Sequence, residues 1–136
     1  MKIDVALLDS LTAQAQASPR LRMNYDLRNS AADTSQRMLN AIEPGSVVPV
    51  HRHRATSETV VVLRGRVVEE YYSPDGAVEA VFEVSAGGPV CALNIPAGVW
   101  HTLRVLESGT VILEMKDGVY EGIREEDVMS KISEDQ

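Results

Sequence analysis

Residues 45–65 read GSVVPVHRHRATSETVVVLRG, and this stretch carries the most informative spacing in the chain. Side chains at positions i and i+2 of a β-strand point to the same face, so His51 and His53 direct both imidazoles to one side. The four residues after His53 allow the chain to reverse, so that Glu58 opens the next strand on that side. Gly65 then permits a tight turn. The pattern predicts two strands that bring three metal-ligating side chains together.

A second motif, PAGVWH at residues 96–101, predicts a tight turn that delivers His101 from a distant strand. Imidazoles with one carboxylate suit transition metals rather than calcium or magnesium. A single histidine on an apolar strand is more often a packing or surface residue. Three histidines and a glutamate buried on one pattern without a metal would leave costly unpaired polar groups. We therefore predict one divalent metal (Fe, Zn, Ni or Mn), with four ligands: His51, His53, Glu58 and His101.

Apolar periodicity gives the secondary structure around these motifs. Spacings of three and four predict a helix over residues 4–17, and alternation of Met23, Tyr25 and Leu27 with polar residues predicts a half-buried strand. Residues 59–63, TVVVL, are apolar at nearly every position, which indicates a strand covered on both faces. Either the N-terminal segment or a second subunit would cover the outer face, and we favour a homodimer.

Short apolar runs separated by turn residues fill the chain from residue 36 onward, which predicts an antiparallel sandwich or barrel in one domain. We expect residues 1–35 to pack a helix and a strand on the barrel and residues 36–120 to form it. Residues 121–136 are predicted to be a C-terminal tail. A closing helix and a loose acidic segment are both open for residues 124–133.

Composition excludes several classes of protein. The net charge of −7 argues against nucleic-acid binding, because phosphate contacts need a basic surface. No apolar run approaches the roughly 20 residues that cross a bilayer, so we expect no membrane insertion. The N-terminal stretch contains Asp4 and Asp9 and no small-residue cleavage site, which argues against a signal peptide. A cytoplasmic protein is expected.

The two histidine motifs resemble those of the cupin superfamily. This resemblance implies a mainly β protein, a single double-stranded β-helix (jelly-roll) barrel with its metal near the middle, here with a short N-terminal helix. The likeness extends over most of residues 18–120 to the cupin-fold metalloproteins of the WbuC family. That family resembles proteins encoded beside O-antigen and other surface-polysaccharide genes, which implies a role in polysaccharide biosynthesis. The segments that carry it include SPRLR at 18–22, QRMLNAIEPG at 36–45, LRGR at 63–66, and EMK at 114–116 with Tyr120.

Three residues outside the motifs are candidates for substrate binding. Glu114 and Lys116 share one face of the last strand, where we expect a solvent-facing ion pair. The alternative places Lys116 at the mouth of the cavity as an anion-binding group. Arg37, on an early strand, is a candidate carboxylate clamp. Tyr120 follows a turn and is either a rim residue or a packing residue.

Three neutral imidazoles and one carboxylate on a divalent ion leave a net local charge of about +1, which favours an anionic small-molecule ligand. We therefore predict a metal-dependent enzyme, such as a dioxygenase or an isomerase, that acts on a small anionic or sugar-derived metabolite. One alternative is a non-catalytic module that uses its metal to bind or sense a small molecule. Another is a metal that serves only to stabilise the barrel.

Overall fold

One α-helix and eight β-strands make up residues 1–129, the part of the chain that the computed structural model describes. No helix within that part has the length and apolar character needed to cross a membrane. In chain order the elements are α1 (Val5–Ala17), β1 (Arg22–Asp26), β2 (Ser35–Ile42), β3 (Glu58–Arg64), β4 (Arg66–Tyr72), β5 (Val78–Ser85), β6 (Ala92–Ile95), β7 (Trp100–Val105), β8 (Val111–Asp117) and a 3-10 turn at Glu125–Asp127.

Helix α1 follows its predicted bounds closely. The Asp4 side chain accepts a hydrogen bond from the Leu7 amide at 3.0 Å, which satisfies one of the free amides of the first turn. The apolar face of the helix packs on the outer surface of the larger sheet and so adds a second, smaller core to the molecule. Its members are Leu8, Leu11, Ala15, Leu39, Ala41 and Val111.

The strands form two antiparallel sheets, which confirms the prediction of a mainly β jelly-roll domain with an N-terminal helix. The larger sheet has the order β1-β2-β8-β3-β6 and the smaller one the order β5-β4-β7. Neighbours in the sheets are mostly distant in sequence, as jelly-roll topology requires. The inner core comprises Ile42, Val60, Val62, Val67, Val84, Ile95, Leu103 and Ile112.

Strand β3 is buried on its inner face and half-buried on its outer face, so the cover predicted from TVVVL is found in part. Val60 and Val62 lie in the inner core, each 3 % exposed. Leu63, on the opposite face, packs against the cluster formed with helix α1. The N-terminal segment therefore covers the outer face beside Leu63, which is the first of the two explanations considered. The homodimer stays a prediction.

Strand β1 differs from the expected half-buried pattern. Met23 and Leu27 pack against the helix cluster, but Tyr25 is 38 % exposed. On the other face, Arg22 and Asn24 line a cavity inside the barrel. The strand lies at the edge of its sheet and borders this cavity rather than a packed core. Arg22 and Asn24 consequently border the cavity, although Asn24 is also exposed to solvent.

The C-terminal segment runs along the strand segment that carries the first histidine. Within the described part of the tail, the helical structure consists of one 3-10 turn at Glu125–Asp127. It replaces the longer closing helix that was one of the two expectations. Val128 forms a β-bridge with His51, and the Met129 amide donates to the Val50 carbonyl at 2.8 Å. Residues 130–136 of the predicted tail lie outside the described residues.

Asp127 attaches this segment to the barrel. Its carboxylate accepts hydrogen bonds from Nε of Arg52 at 2.9 Å and Nε of Arg54 at 2.5 Å. The Arg52 guanidinium also lies 4.5 Å from the ring centroid of Trp100. Arg52 therefore points away from the histidine cluster, as alternation along the strand requires.

Candidate metal centre

Backbone pairing brings the two histidine motifs together. The His51 amide donates to the His101 carbonyl at 3.0 Å, and the His101 amide donates to the His51 carbonyl at 2.8 Å. The Gly98 amide donates to the His53 carbonyl at 2.7 Å. Gly98 has a φ of +82°, which residues with a Cβ rarely adopt, so glycine suits this turn. The turn at residues 96–98 thus places His101 beside the first motif.

The imidazoles converge on one point. One ligand nitrogen from each of His51, His53 and His101 lies within 4.8 Å of the other two. Nδ1 of His51 lies 2.8 Å from the Pro49 carbonyl, and Nδ1 of His101 lies 2.9 Å from the Val99 carbonyl. Donation from Nδ1 to a carbonyl fixes the ring and leaves Nε2 with a free electron pair. Each of these two rings is therefore oriented as a metal ligand is.

Glu58, the first residue of β3, lies against this cluster. Its Oε1 is 3.3 Å from Nε2 of His101 and 3.9 Å from Nε2 of His53, and its side chain is nearly buried. Its other oxygen, Oε2, is 3.5 Å from Nζ of Lys116. One carboxylate oxygen thus faces the imidazoles, while the other is paired with an ammonium group.

Burial and neighbouring charges set the protonation of these groups. Burial lowers the pKa of His51 to about 4, with a smaller effect from the His101 charge, and burial also lowers the pKa of His53. For Glu58, burial alone would raise the pKa. The close contact with His101 and the charge of Lys116 outweigh it and lower that pKa to about 2. At neutral pH, the neutral imidazoles of His51 and His53 and the ionised Glu58 carboxylate are available, as metal binding requires.

The donor set fits a divalent transition metal. Nε2 of His101 is buried and has no hydrogen-bond partner among the described residues, which is costly unless another group supplies one. Imidazole nitrogens with a carboxylate oxygen are ligands that Zn, Fe, Ni and Mn accept. His51, His53 and His101 would hold such an ion, with Glu58 as the fourth ligand.

The cluster opens onto a cavity of about 460 Å³ inside the barrel. Strands of both sheets contribute to its wall, and the residues from 120 to 128 contribute to its rim. Such a volume is in the range that holds small metabolites. Besides the four residues above, the wall includes Arg20, Arg22, Asn24, Met38, Asn40, Glu69, Glu114, Lys116 and Tyr120.

Two further carboxyl groups line the cavity: Glu69, which was not predicted, and Glu114, which was expected at the surface. Glu69 is 1 % exposed, and burial raises its pKa to about 9, with a contribution from Glu58. Burial likewise raises the pKa of Glu114 to about 7. Glu69 shares its face of β4 with Val67 and Tyr71, which belong to or pack against the inner core. No sequence signal singles it out, because Glu70 lies between Val68 and Tyr72 in the same way.

The structure places two of the three substrate-binding candidates in the cavity wall. Lys116 lies there with Glu114, so the prediction of a solvent-facing ion pair is wrong. The alternative prediction, which placed Lys116 at the cavity, agrees with the structure. The larger sheet turns this face of β8 toward the barrel interior. Tyr120 lies at the rim, 59 % exposed. Arg37 instead pairs with Asp33 at 3.2 Å, outside the histidine cavity.

Residues 3–84, more than half of the chain, match the model of a protein family described as "Domain of unknown function (DUF6016)". The chain belongs to this family. The matched part of the DUF6016 chain includes His51, His53 and Glu58, whereas His101 lies beyond it. No curated protein matches the sequence.

Solved structures with the same fold include KdgF from Halomonas sp., which is 15 % identical with a TM-score of 0.59, over 74 % of the DUF6016 chain and 82 % of KdgF. The capsular polysaccharide assembling protein CapF from Staphylococcus aureus is 19 % identical with a TM-score of 0.64, over 82 % of this chain and 32 % of CapF. Oxalate oxidase in complex with the substrate analogue glycolate is 17 % identical with a TM-score of 0.62, over 80 % of this chain and 57 % of oxalate oxidase. These proteins are cupins, so the DUF6016 chain has the cupin fold. It spans only about a third of CapF.

Proposed function

We propose that this DUF6016 protein is a metal-dependent enzyme that acts on a small anionic or sugar-derived metabolite. One observation carries the proposal: three imidazole nitrogens lie within 4.8 Å of one another, beside the Glu58 carboxylate, in the wall of the cavity. The metal ligands in this proposal are His51, His53, Glu58 and His101. A divalent transition metal bound there would act as a Lewis acid or, if it is iron, support oxygen chemistry of the dioxygenase type.

The residues around the cluster suit an anionic ligand. Lys116 and Arg22 place positive charges in the cavity wall, and Arg20 lies beside them. The pKa of Arg22 is lowered by burial and by the charge of Arg20, so these two guanidinium groups repel one another. An anion between them would relieve that repulsion. We infer that this side of the cavity receives the carboxylate or phosphate of the metabolite.

Glu114 is the chain's candidate for proton transfer. A general acid or base works best with a pKa near the operating pH, and burial raises the pKa of Glu114 to about 7. The Glu114 side chain lines the same cavity as His101 and Lys116. It would exchange a proton with a ligand held between the metal ligands and the cationic wall. We propose this role for Glu114.

The finer assignments are part of the same proposal. The resemblance to the WbuC family and the likeness to CapF, a capsular polysaccharide assembling protein, support a role in surface-polysaccharide biosynthesis. A cytoplasmic homodimer is also proposed. Val78 and Val81, 50 % and 56 % exposed, lie on β5 at the free edge of the smaller sheet, where a second copy would cover them.

Elemental analysis of protein purified without added metal or a chelating tag tests the proposal. We expect about one divalent metal per chain, and loss of that metal in His101→Ala, because three ligands hold an ion far less tightly than four. Arg104→Ala is the matched control, since Arg104 lies on the same strand with its side chain 58 % exposed, and this variant should keep the metal.

The identity of the metal directs the next assay. Iron would call for a measurement of substrate-dependent O₂ uptake, whereas zinc, nickel or manganese would direct the search to isomerases and hydrolases. Wild-type protein that binds no metal after reconstitution, or His101→Ala protein that still binds one equivalent, would refute the ligand assignment. Ligands that raise the thermal midpoint without being turned over would favour the non-catalytic binding module.

A further inference from the structure

Three buried side-chain atoms in residues 1–129 have no hydrogen-bond partner, and all three belong to residues that line the histidine cavity. They are Nε2 of His101, Oδ1 of Asn40 and Oε2 of Glu69. Leaving a buried polar atom unpaired costs about 1–3 kcal/mol, so such atoms are rare in folded proteins. A metal would account for His101. Asn40 and Glu69 need another partner.

Asn40 and Glu69 face the cavity from different sheets. Asn40, on β2, is 8 % exposed and shares its face with Met38 and Ile42, which also line the cavity. Glu69, on β4, is 1 % exposed and shares its face with Val67 of the inner core. The neighbours on their own faces are apolar, and the carboxyl group of Glu114 lies near both. The cavity is the place from which a partner can reach them.

The chemistry of the two groups restricts that partner. The unpaired amide oxygen of Asn40 accepts a hydrogen bond, and the Glu69 carboxyl accepts bonds and, when protonated, donates one. A carboxylate or phosphate would meet acceptors here and be repelled, also by Glu114 close by. An aliphatic group would leave both atoms unpaired. Hydroxyl groups, which donate and accept, satisfy both.

We propose that Asn40 and Glu69 form a hydroxyl-binding subsite, and that the ligand of this protein is a polyhydroxylated acid of the sugar-acid type. Its hydroxyl groups contact Asn40 and Glu69, while its anionic group lies toward Lys116 and Arg22. The anionic end rests on the proposed function, whereas the hydroxyl subsite rests on the unpaired atoms alone. The expected substrates are therefore acids that carry several hydroxyl groups, which is a smaller class than small anions in general.

The first test is thermal stability, which needs no ligand. Glu69→Met replaces an unpaired buried carboxyl with an apolar side chain of similar volume and should raise Tm by about 3 °C or more. The matched control is Thr110→Val, at a buried residue whose hydroxyl has two partners: it accepts from the Arg66 amide at 3.2 Å and donates to the Glu107 carbonyl at 2.7 Å. That variant should lower Tm. A fall in Tm for Glu69→Met would overturn the subsite, because the carboxyl would then be paired within the protein.

The second test compares two ring acids by calorimetry on the metal-loaded protein. D-glucuronate carries hydroxyl groups and cyclohexanecarboxylate carries none, but both have one carboxylate on a six-membered ring. Wild type should bind D-glucuronate at least about tenfold more tightly, because the analogue leaves two buried groups unpaired. In Glu69→Met and Asn40→Leu that preference should shrink to about threefold or less.

The outcomes separate this inference from the proposed function. Equal affinity for the two acids in metal-loaded wild type, or binding of neither, would overturn the hydroxylated-acid ligand while leaving the metal centre intact. A preference that survives in both variants would overturn the assignment to Asn40 and Glu69. Absence of metal from wild type, together with a raised Tm in Glu69→Met, would refute the proposed function and support the subsite.

Discussion

Gly65 joins strand β3, which begins with Glu58, to strand β4, which carries Glu69, and its replacement by alanine tests the geometry of this connection. Gly65 has a φ of +88°. A Cβ added there would lie 2.7 Å from Cα of Thr110 and closer still to the Thr110 hydroxyl oxygen. Thr110 is fully buried and its hydroxyl makes two hydrogen bonds, so it cannot move aside.

Two costs add in Gly65→Ala. The left-handed backbone costs a residue with a Cβ about 1–2 kcal/mol, and forcing a methyl group into a packed site costs about 1–3 kcal/mol. We expect a loss of about 3 kcal/mol in the free energy of unfolding, or a fall in Tm of about 10 °C for a domain of this size. Part of this lost stability would come from broken hydrogen bonds of Thr110, because the added methyl group must displace its hydroxyl.

Urea unfolding and calorimetry, both with the metal removed, measure the effect. Gly87→Ala is the matched control: Gly87 has a φ of +72°, but an added Cβ there meets nothing within 4 Å. The control should show the backbone cost alone, about 1–2 kcal/mol. If the two variants lose the same stability, contact with Thr110 contributes nothing and the account of this turn fails.

Two other perturbations have defined outcomes. The pKa of His51 is lowered to about 4, so between about pH 6.5 and pH 4 the unfolded chain binds more protons than the folded one. The free energy of unfolding of the metal-free protein should therefore fall as the pH decreases through this window. In His51→Gln, the free energy of unfolding measured with urea at several pH values should depend less steeply on pH. Asp127→Asn loses the ion pairs with Arg52 and Arg54, so limited proteolysis should cut the C-terminal segment about threefold faster. In the exposed control Glu126→Gln, a rate as fast as in Asp127→Asn would contradict the proposed attachment.

Local spacing explains why the fold class and the histidine cluster could be predicted. Residues two apart in an extended chain share a face, so the His51 and His53 side chains lie together although residues 43–57 form no strand and His51 makes only isolated β-bridges. Proline and glycine mark the turn before His101. These signals depend on residues close together in the chain. The helix over residues 4–17 was accurate for the same reason, since its apolar spacing and its end at a proline are local features.

The interior of the cavity could not be predicted in the same way. A glutamate on an alternating strand normally faces water, so Glu114 and Lys116 were expected to form a surface pair. Whether such a face meets solvent or a cavity depends on how the sheet closes, which no local pattern records. Arg22 on β1 turned inward for the same reason. Glu69 could not be distinguished from Glu70 either, because Val67 and Tyr71 flank the one as Val68 and Tyr72 flank the other.

The pairing of His51 with His101 has a consequence for the order of events in folding. The two residues are far apart in sequence, and closing a loop of that length costs about 3 kcal/mol of chain entropy before any contact compensates it. Non-local β-pairing of this kind forms slowly. His51, His53 and Glu58 lie within eight residues of the chain, but the set of four is complete only when the closed barrel brings His101 to them. Metal that binds the complete set stabilises the native state by mass action, to an extent set by its free concentration.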